Sequence, residues 1–132
     1  MATKKLLNPD WPRVGSAPFA QAVQVGDTVY VSGQVAQDPD GKLVGAGDMA
    51  AQANQIIDNI AVILALAGAT LDDVVKITTY VTDMSKYGDY ARVRAERFPD
   101  AALASATVSS PELVQPGFLI EIEAIAVVGA GS

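Results

Sequence analysis

The chain has 132 residues, half of them apolar, and a formal net charge of −6. This length suits one domain with a sizeable hydrophobic core, and the composition is not that of a disordered chain. The absence of cysteine and histidine excludes disulfides, thiolate or imidazole catalysis, a Ser-His-Asp triad and the usual zinc ligand sets.

The acidic charge disfavours binding to a phosphate backbone. The longest apolar-rich run, residues 60–69, is too short to span a membrane, and the first residues lack the apolar core of a signal peptide. We therefore expect a soluble cytoplasmic protein that binds neither nucleic acid nor a membrane.

The first third of the chain predicts a hairpin. Residues 1–17 contain several prolines and are expected to be irregular, and strands follow at 20–25 and 28–34. Gly26 and Asp27 form the two-residue turn between them. On the second strand, alternation places Val29, Val31 and Gly33 on one face and Thr28, Tyr30, Ser32 and Gln34 on the other.

The strongest helical signal lies between Asp48, a good N-cap, and Gly68, which suits a left-handed C-terminal position. Apolar residues recur there at i, i+3, i+4 and i+7 spacing. They are Met49, Ala53, Ile56, Ile57, Ile60, Ile63, Leu64 and Ala67.

Residues 73–82 predict the next strand, with Val75 and Ile77 on one face and Val74 on the other. A second helix is predicted from an N-cap at Asp83 to the residue before Pro99. Its apolar stripe is Tyr87, Tyr90, Ala91 and Phe98, interrupted by Arg94. A weaker strand is predicted at 103–109.

The last strand, residues 119–128, has two contrasting faces. One face is wholly apolar and consists of Ile120, Ile122, Ala124, Ala126 and Val128. The other carries Glu121 and Glu123 among apolar residues, where a charge is costly unless it meets water, a partner or a ligand. We therefore expect the second face to line an interface or a cleft. Residues 129–132 are a tail.

The predicted order is β-β-α-β-α-β-β within a single domain, residues 1–132. We expect an α+β fold in which two helices cover one face of a mixed sheet. The other face has too many apolar residues to lie bare, and self-association would cover it.

Four stretches together closely resemble the RidA/YjgF family of small trimeric proteins. They are APFAQAV (17–23), VYVSGQV (29–35), AGATLDDVVKITTYVTDM (67–84) and LIEIEAIAV (119–127). The resemblance implies a chorismate-mutase-like (YjgF-like) fold and a homotrimer with clefts between subunits. It also implies hydrolysis of reactive enamines or imines to a ketone and ammonia, without a cofactor or a metal.

The resemblance places the functional positions of the family on particular residues. The glutamate that positions the attacking water falls on Glu121, and the family serine and glycine fall on Ser32 and Gly33. The family tyrosine falls on Phe19, which lacks the hydroxyl, and the asparagine of the second helix falls on Ala91.

The arginine that clamps a substrate carboxylate in deaminating members has no counterpart at its own position. Arg92, Arg94 or Arg97 of the second helix could substitute for it, but no spacing argument selects one of them. Its position falls on Ser105, or on Ala102 if the alignment shifts, and Thr107 lies in the same ligand-binding region. A serine hydrogen bond contributes about 1 kcal/mol net, whereas a bidentate arginine–carboxylate pair is much stronger. The chain therefore resembles a divergent member with weak affinity for the usual 2-aminoacrylate-type 2-imino acids.

Two functions remain open at this point, and a nucleic-acid role, which the resemblance also allows, is the least expected because the chain is acidic and has no histidine and no basic run. The first is a RidA-like deaminase that hydrolyses a small imine or enamine, with Glu121 catalytic and Phe19, Ser32, Gly33, Ser105 and Thr107 binding the substrate. The second is a non-catalytic trimer of the same family that binds a small metabolite. Under the second reading Glu121 is a solvated or interface glutamate, and Ser32 and Phe19 serve packing and backbone pairing.

Overall fold

A computed structural model describes residues 3–131 as a six-stranded mixed sheet with two α-helices. The strands are β1 (Lys5–Leu7), β2 (Ala22–Val25), β3 (Thr28–Val35), β4 (Val74–Val81), β5 (Ala104–Ser109) and β6 (Ile120–Val127). The helices are α1 (Met49–Ala65) and α2 (Tyr87–Arg97). The spatial order is β1-β2-β3-β6-β4-β5; β4 and β5 pair in parallel, and the other neighbours in this sheet are antiparallel. The predicted α+β fold is confirmed.

Helix α1 forms where its apolar spacing predicts it. The Asp48 side chain accepts a hydrogen bond from the Ala51 backbone N–H at 3.0 Å and so caps the first turn. Gly68 adopts φ +72° just beyond the last turn, a conformation that glycine takes without a Cβ penalty. Ile56, Ile60 and Leu64 are fully buried, and each such side chain contributes roughly 1.5–3 kcal/mol before entropy is considered.

Strand β6 lies at the centre of the sheet between β3 and β4, and its two faces differ as predicted. Ile120, Ile122, Ala124 and Ala126 are buried on the face that α1 and α2 cover. Glu121 and Glu123 lie on the opposite face, which neither of these helices covers and which we call the open face.

Buried polar groups tie the helical layer to the sheet. The Gln52 side chain is completely buried; it donates to the backbone oxygens of Gly45 and Gly117 at 3.1 and 2.9 Å and accepts from the Leu119 N–H at 2.9 Å. One side chain thereby fixes the start of α1 against the loop that leads into β6.

The prediction of an irregular segment at residues 1–17 is wrong in two places. Lys5–Leu7 pairs with β2 as an edge strand, and Pro12–Ser16 forms a 3-10 helix. Only Leu7 of the three strand residues is buried, so the sequence contains no alternation to reveal β1. Met1 and Ala2 of this segment, and Ser132 of the predicted tail, lie outside the described residues.

Two β-bulges correct the predicted faces. On β3 the register moves from Val31 opposite Ala124 to Gln34 opposite Ile122, so β3 has one extra residue there. Gln34 is consequently buried on the helix side and Gly33 lies on the open face, the reverse of the prediction. On β4 a second irregularity near Val75 leaves Val74 buried and Val75 exposed, again the reverse of the expected faces.

Helix α2 begins later than predicted. Asp83 caps a short 3-10 turn, Met84–Lys86, and the α-helix itself starts at Tyr87. Tyr90 and Val93 are its buried residues, and the Tyr90 hydroxyl lies 2.7 Å from the Thr79 hydroxyl in the core. The predicted stripe included Tyr90 but missed Val93, which lies three residues further along the same face of the helix.

We expect Gln52→Met to destabilise the fold by about 2–4 kcal/mol, because three part-buried backbone groups would lose their buried side-chain partner while the side-chain volume is kept. Urea unfolding measures the change. Gln24→Met is the matched control, since Gln24 forms one exposed hydrogen bond to Gly26. A loss at Gln52 no larger than that at Gln24 would contradict this role.

Candidate functional site

A cleft of about 540 Å³ lies where the open face meets the N-terminal segment. Glu121 of β6 and Gly33 of β3 form its floor, and Phe19 and Arg13 lie on its wall. Phe19 is 58 % exposed, so its ring is available to a ligand and does not belong to the core. We call this site the Glu121 cleft. It brings together three of the predicted site residues: Phe19, Gly33 and Glu121.

The β3 bulge gives Glu121 its space. A Cβ built on Gly33 would lie 2.9 Å from the Glu121 carboxyl carbon and would overlap the carboxylate itself. Real Cβ atoms do not approach so closely, so the carboxylate can occupy this position only because residue 33 has no side chain. The extra residue in β3 turns Gly33 toward Glu121.

The two glutamates of β6 have different surroundings. Glu123 accepts a hydrogen bond from the Tyr80 hydroxyl at 2.9 Å, whereas no group within residues 3–131 donates a hydrogen bond to Glu121. Burial raises the pKa of Glu121, and the negative charge of Glu123 raises it further. A carboxylate with a raised pKa and no internal partner is suited to accept a proton from a bound water.

The Ser32 hydroxyl and backbone N–H both form hydrogen bonds within the chain. The hydroxyl donates to the Ala20 carbonyl at 2.7 Å, and the backbone N–H donates to the Gln21 carbonyl at 2.9 Å. These bonds hold the segment that carries Phe19 against the bulge of β3. Ser32 therefore positions one wall of the cleft, and its predicted contact with a ligand stays a prediction.

Ser105 and Thr107 lie elsewhere. Both line a larger cavity of about 800 Å³ between α2 and the edge strand β5, which we call the α2 cavity. Their register partners on β4 are Ile77 and Thr79, which are buried on the helix side. Glu121 pairs with Tyr80, which has the opposite orientation on β4. Within one chain, the two groups of predicted site residues therefore lie on opposite faces of the sheet.

Two arginines at these sites were not among the predicted site residues. Arg94 lines the α2 cavity together with Ser105 and Thr107. The only sequence signal for it is its position as a charge in the apolar stripe of α2. Arg13 lines the Glu121 cleft, where its Nε donates to the Asp38 carbonyl at 3.1 Å and its guanidinium stacks 4.6 Å from the Trp11 ring centre. No pattern indicated Arg13, because its segment was predicted to be irregular.

Neither helix in the part of the chain from residue 3 to residue 131 has the length and apolar character needed to cross a bilayer. In the same range, no three acidic side chains are grouped so that they would hold a metal ion.

Comparisons with known proteins give a consistent result. A family model described as Endoribonuclease L-PSP matches residues 13–128. The chain is similar to 2-iminobutanoate/2-iminopropanoate deaminase of Mus musculus, with 34% identity over 126 residues that cover 96% of this chain and 93% of the mouse protein. It is also similar to a RutC family protein of Pyrococcus abyssi, with 38% identity over 109 residues that cover 83% and 85% of the two chains.

Solved structures agree with this result. The fold matches yeast Mmf1 with a TM-score of 0.88 and 30% identity, over 96% of this chain and 99% of the yeast chain. It matches a member of the YjgF/YER057c/UK114 family from Mycobacterium tuberculosis with a TM-score of 0.82 and 31% identity, over 96% and 100% of the two chains.

The raised pKa of Glu121 predicts how stability depends on pH. Because the folded-state pKa lies above the unfolded value of about 4.3, ionisation of Glu121 opposes folding as pH rises through the folded-state pKa. We expect Glu121→Gln to be more stable than the parent at pH 7, by less than about 1 kcal/mol because the side chain is only half-buried. The difference should vanish at pH values below the unfolded pKa, as measured by urea unfolding across pH.

Glu112→Gln, on an exposed loop, is the control for that experiment. A Glu121→Gln variant that is less stable than the parent at pH 7 would show that the carboxylate has a stabilising partner.

Proposed function

Since this chain belongs to the RidA/YjgF family, we propose that it hydrolyses a small reactive imine or enamine to a carbonyl compound and ammonia. The observation that carries this proposal is the environment of the Glu121 carboxylate. Its pKa is raised, it faces a cleft, and no described residue donates a hydrogen bond to it. The absence of a side chain at Gly33 leaves the space that it occupies. The similarity to a mouse 2-iminobutanoate/2-iminopropanoate deaminase supports the same reaction class.

The proposed reaction follows from the position of Glu121. An enamine first tautomerises to the imine. Glu121 then accepts a proton from water while the water oxygen bonds to the imine carbon and the C=N π bond opens, and the Glu121 carboxyl passes that proton to the nitrogen. The resulting carbinolamine gives up its hydroxyl proton, through Glu121, to the nitrogen as the C–N bond breaks, so that ammonia leaves, the carbonyl forms and Glu121 is again ionised. One water is consumed for each ammonia released, and no cofactor takes part.

We propose that the working unit is a homotrimer. Ser105 and Thr107 lie on the opposite face of the sheet from Glu121, so one chain alone does not unite the predicted site residues. The open face also exposes Tyr30 (50 %) and Val108 (43 %), which contact with another copy would cover. Copies arranged with their open faces inward would bring the edge strand β5 of one copy beside the Glu121 cleft of the next.

The substrate is not expected to be one of the usual small 2-imino acids. No arginine follows Arg97 in the sequence, and the hydroxyl of Ser105 offers only a neutral hydrogen bond where the resemblance places a carboxylate clamp. Phe19 also keeps a ring in the Glu121 cleft without a phenolic hydroxyl to orient a substrate.

These same differences favour the alternative, a non-catalytic trimer that binds a small metabolite.

An endoribonuclease activity, which the description of the family model names, is disfavoured by the net charge of −6 and by the absence of histidine as an acid–base group.

We expect Glu121→Gln to lower imine hydrolysis at least 100-fold, because the amide accepts no proton from the attacking water. Imines produced in place by an amine or amino-acid oxidase serve as substrates, and ammonia release above the spontaneous rate is the measurement. Glu112→Gln should retain the parent rate. Equal rates for Glu121→Gln and the parent would remove the catalytic claim, and a ligand that stabilises the parent without turnover would favour the binding protein.

Gly33→Ala provides a second test of the same carboxylate. The new methyl group would displace Glu121, so hydrolysis should fall while the fold is retained. Gly88→Ala is the matched control, since a Cβ at Gly88 meets nothing within 4 Å. Sedimentation should give three times the 13.7 kDa chain mass for the parent and for both variants. A monomeric parent with full activity would contradict the trimeric site.

A further inference from the structure

The positive charge of Arg94 is not balanced by a carboxylate within the described part of the chain. Two other arginines of α2 are balanced: Arg92 pairs with Asp89 at 3.1 Å, and Arg97 pairs with Asp58 at 2.7 Å. Within residues 3–131, Arg94 Nη2 donates to the neutral Tyr87 hydroxyl at 2.9 Å, and the neutral Tyr90 hydroxyl also interacts with the guanidinium.

Aromatic rings hold the Arg94 guanidinium in place. Its central carbon lies 5.6 Å from the ring centre of Tyr87 and 5.2 Å from that of Tyr90. The two rings meet edge to face, and the Tyr90 hydroxyl is fixed in the core by Thr79. The guanidinium is therefore oriented before any ligand arrives, which reduces the entropy lost on binding. A guanidinium has five N–H donors, so its contacts with the two tyrosine hydroxyls leave donors for a ligand.

The α2 cavity around Arg94 has the composition of an anion-binding pocket. Its volume of about 800 Å³ is within the usual range for small-molecule sites, and Phe98 and Leu103 give it apolar walls. Among the described residues that line it, Arg94 alone is charged, although the whole chain has a net charge of −6. The hydroxyls of Ser105 and Thr107 add neutral donors on the opposite wall.

The backbone at the rim of this cavity is strained. Ala101 adopts φ +50°, and within residues 3–131 no other non-glycine residue has a positive φ. Backbone strain of this kind concentrates at ligand sites, where the surrounding structure maintains it. Ala101 lies in the connection from α2 to β5 and lines the cavity between the helix with Arg94 and the strand with Ser105.

We propose that the α2 cavity is an anion subsite in which Arg94 binds the carboxylate of a ligand with an apolar body, assisted by the hydroxyls of Ser105 and Thr107. That this ligand is the substrate rests on the proposed function. In this proposal the positive charge that binds the carboxylate belongs to Arg94 on α2, and not to an arginine on β5. The size and apolar walls of the cavity favour an aromatic or branched side chain over a methyl group. Larger imino acids thus become the expected substrate class.

Binding of phenylpyruvate, compared with neutral phenylacetone, tests the subsite directly. By calorimetry, the parent should bind phenylpyruvate at least tenfold more tightly than phenylacetone. Arg94→Met should abolish this difference and leave phenylacetone binding unchanged. Arg94→Lys should retain part of it, since the charge remains and the planar fork is lost. Arg92→Met is the matched control, because Arg92 is on the same helix and outside the cavity, and it should bind as the parent does.

Circular dichroism and sedimentation establish that each variant is folded, and Arg94→Lys keeps the test valid if Arg94→Met does not fold. Parent protein that binds both compounds equally, or an Arg94→Met variant that still prefers phenylpyruvate, would overturn the subsite. Competition by inorganic phosphate at concentrations similar to those of phenylpyruvate would also overturn it, because it would indicate a general anion site without preference for an apolar carboxylate.

The two proposals fail separately. Glu121→Gln should still bind phenylpyruvate with the preference of the parent, since that change leaves the α2 cavity intact. Loss of Arg94-dependent binding with Glu121-dependent hydrolysis retained would reject the anion subsite alone. Arg94-dependent binding in a parent that hydrolyses no imine would reject the proposed reaction alone.

Discussion

The alternation of side chains along β6 is the constraint on which the rest of the structure depends. This strand lies between β3 and β4, so each of its residues must face either the helical layer or the open side of the sheet. Its helical side takes only apolar residues, and α1 seals it with fully buried isoleucines. A carboxylate on this strand can therefore lie only on the open face. Glu121 is retained there at the cost of partial desolvation, which raises its pKa.

The same alternation separates the two candidate sites. The Glu121 cleft opens on one face of the sheet, and the α2 cavity, with Arg94, opens on the other. The first contains a half-buried carboxylate and the second a cation. If both the proposed trimer and the proposed anion subsite hold, the two sites meet between subunits, and a chain without an arginine on β5 would hold a charged substrate beside Glu121.

Much of the fold could be predicted, because α1 and β6 have long and regular apolar patterns, and these apolar faces pack against each other in one core. The β1 strand could not be predicted, since it buries a single side chain. The faces of Gly33 and Val75 were predicted wrongly, because each lies at a bulge and alternation assumes that no residue is added. Of the candidate site, Glu121 and Gly33 followed from motif resemblance. Arg94 required the tertiary structure, since only the cavity between α2 and β5 shows what its charge faces.

The extra residue in β3 has a consequence for protein engineering. Deleting Ser32 would make the ladder with β6 regular and keep Gly33 and Gln34 on their present faces, so a designer who seeks a smoother sheet would choose this change. The deletion would also remove both hydrogen bonds that Ser32 donates to the Ala20 and Gln21 carbonyls, next to Phe19. The irregularity therefore serves the cleft, because Gly33 leaves space for Glu121 and Ser32 holds the wall that carries Phe19. A variant whose sheet was made regular in this way would lose part of what anchors that wall.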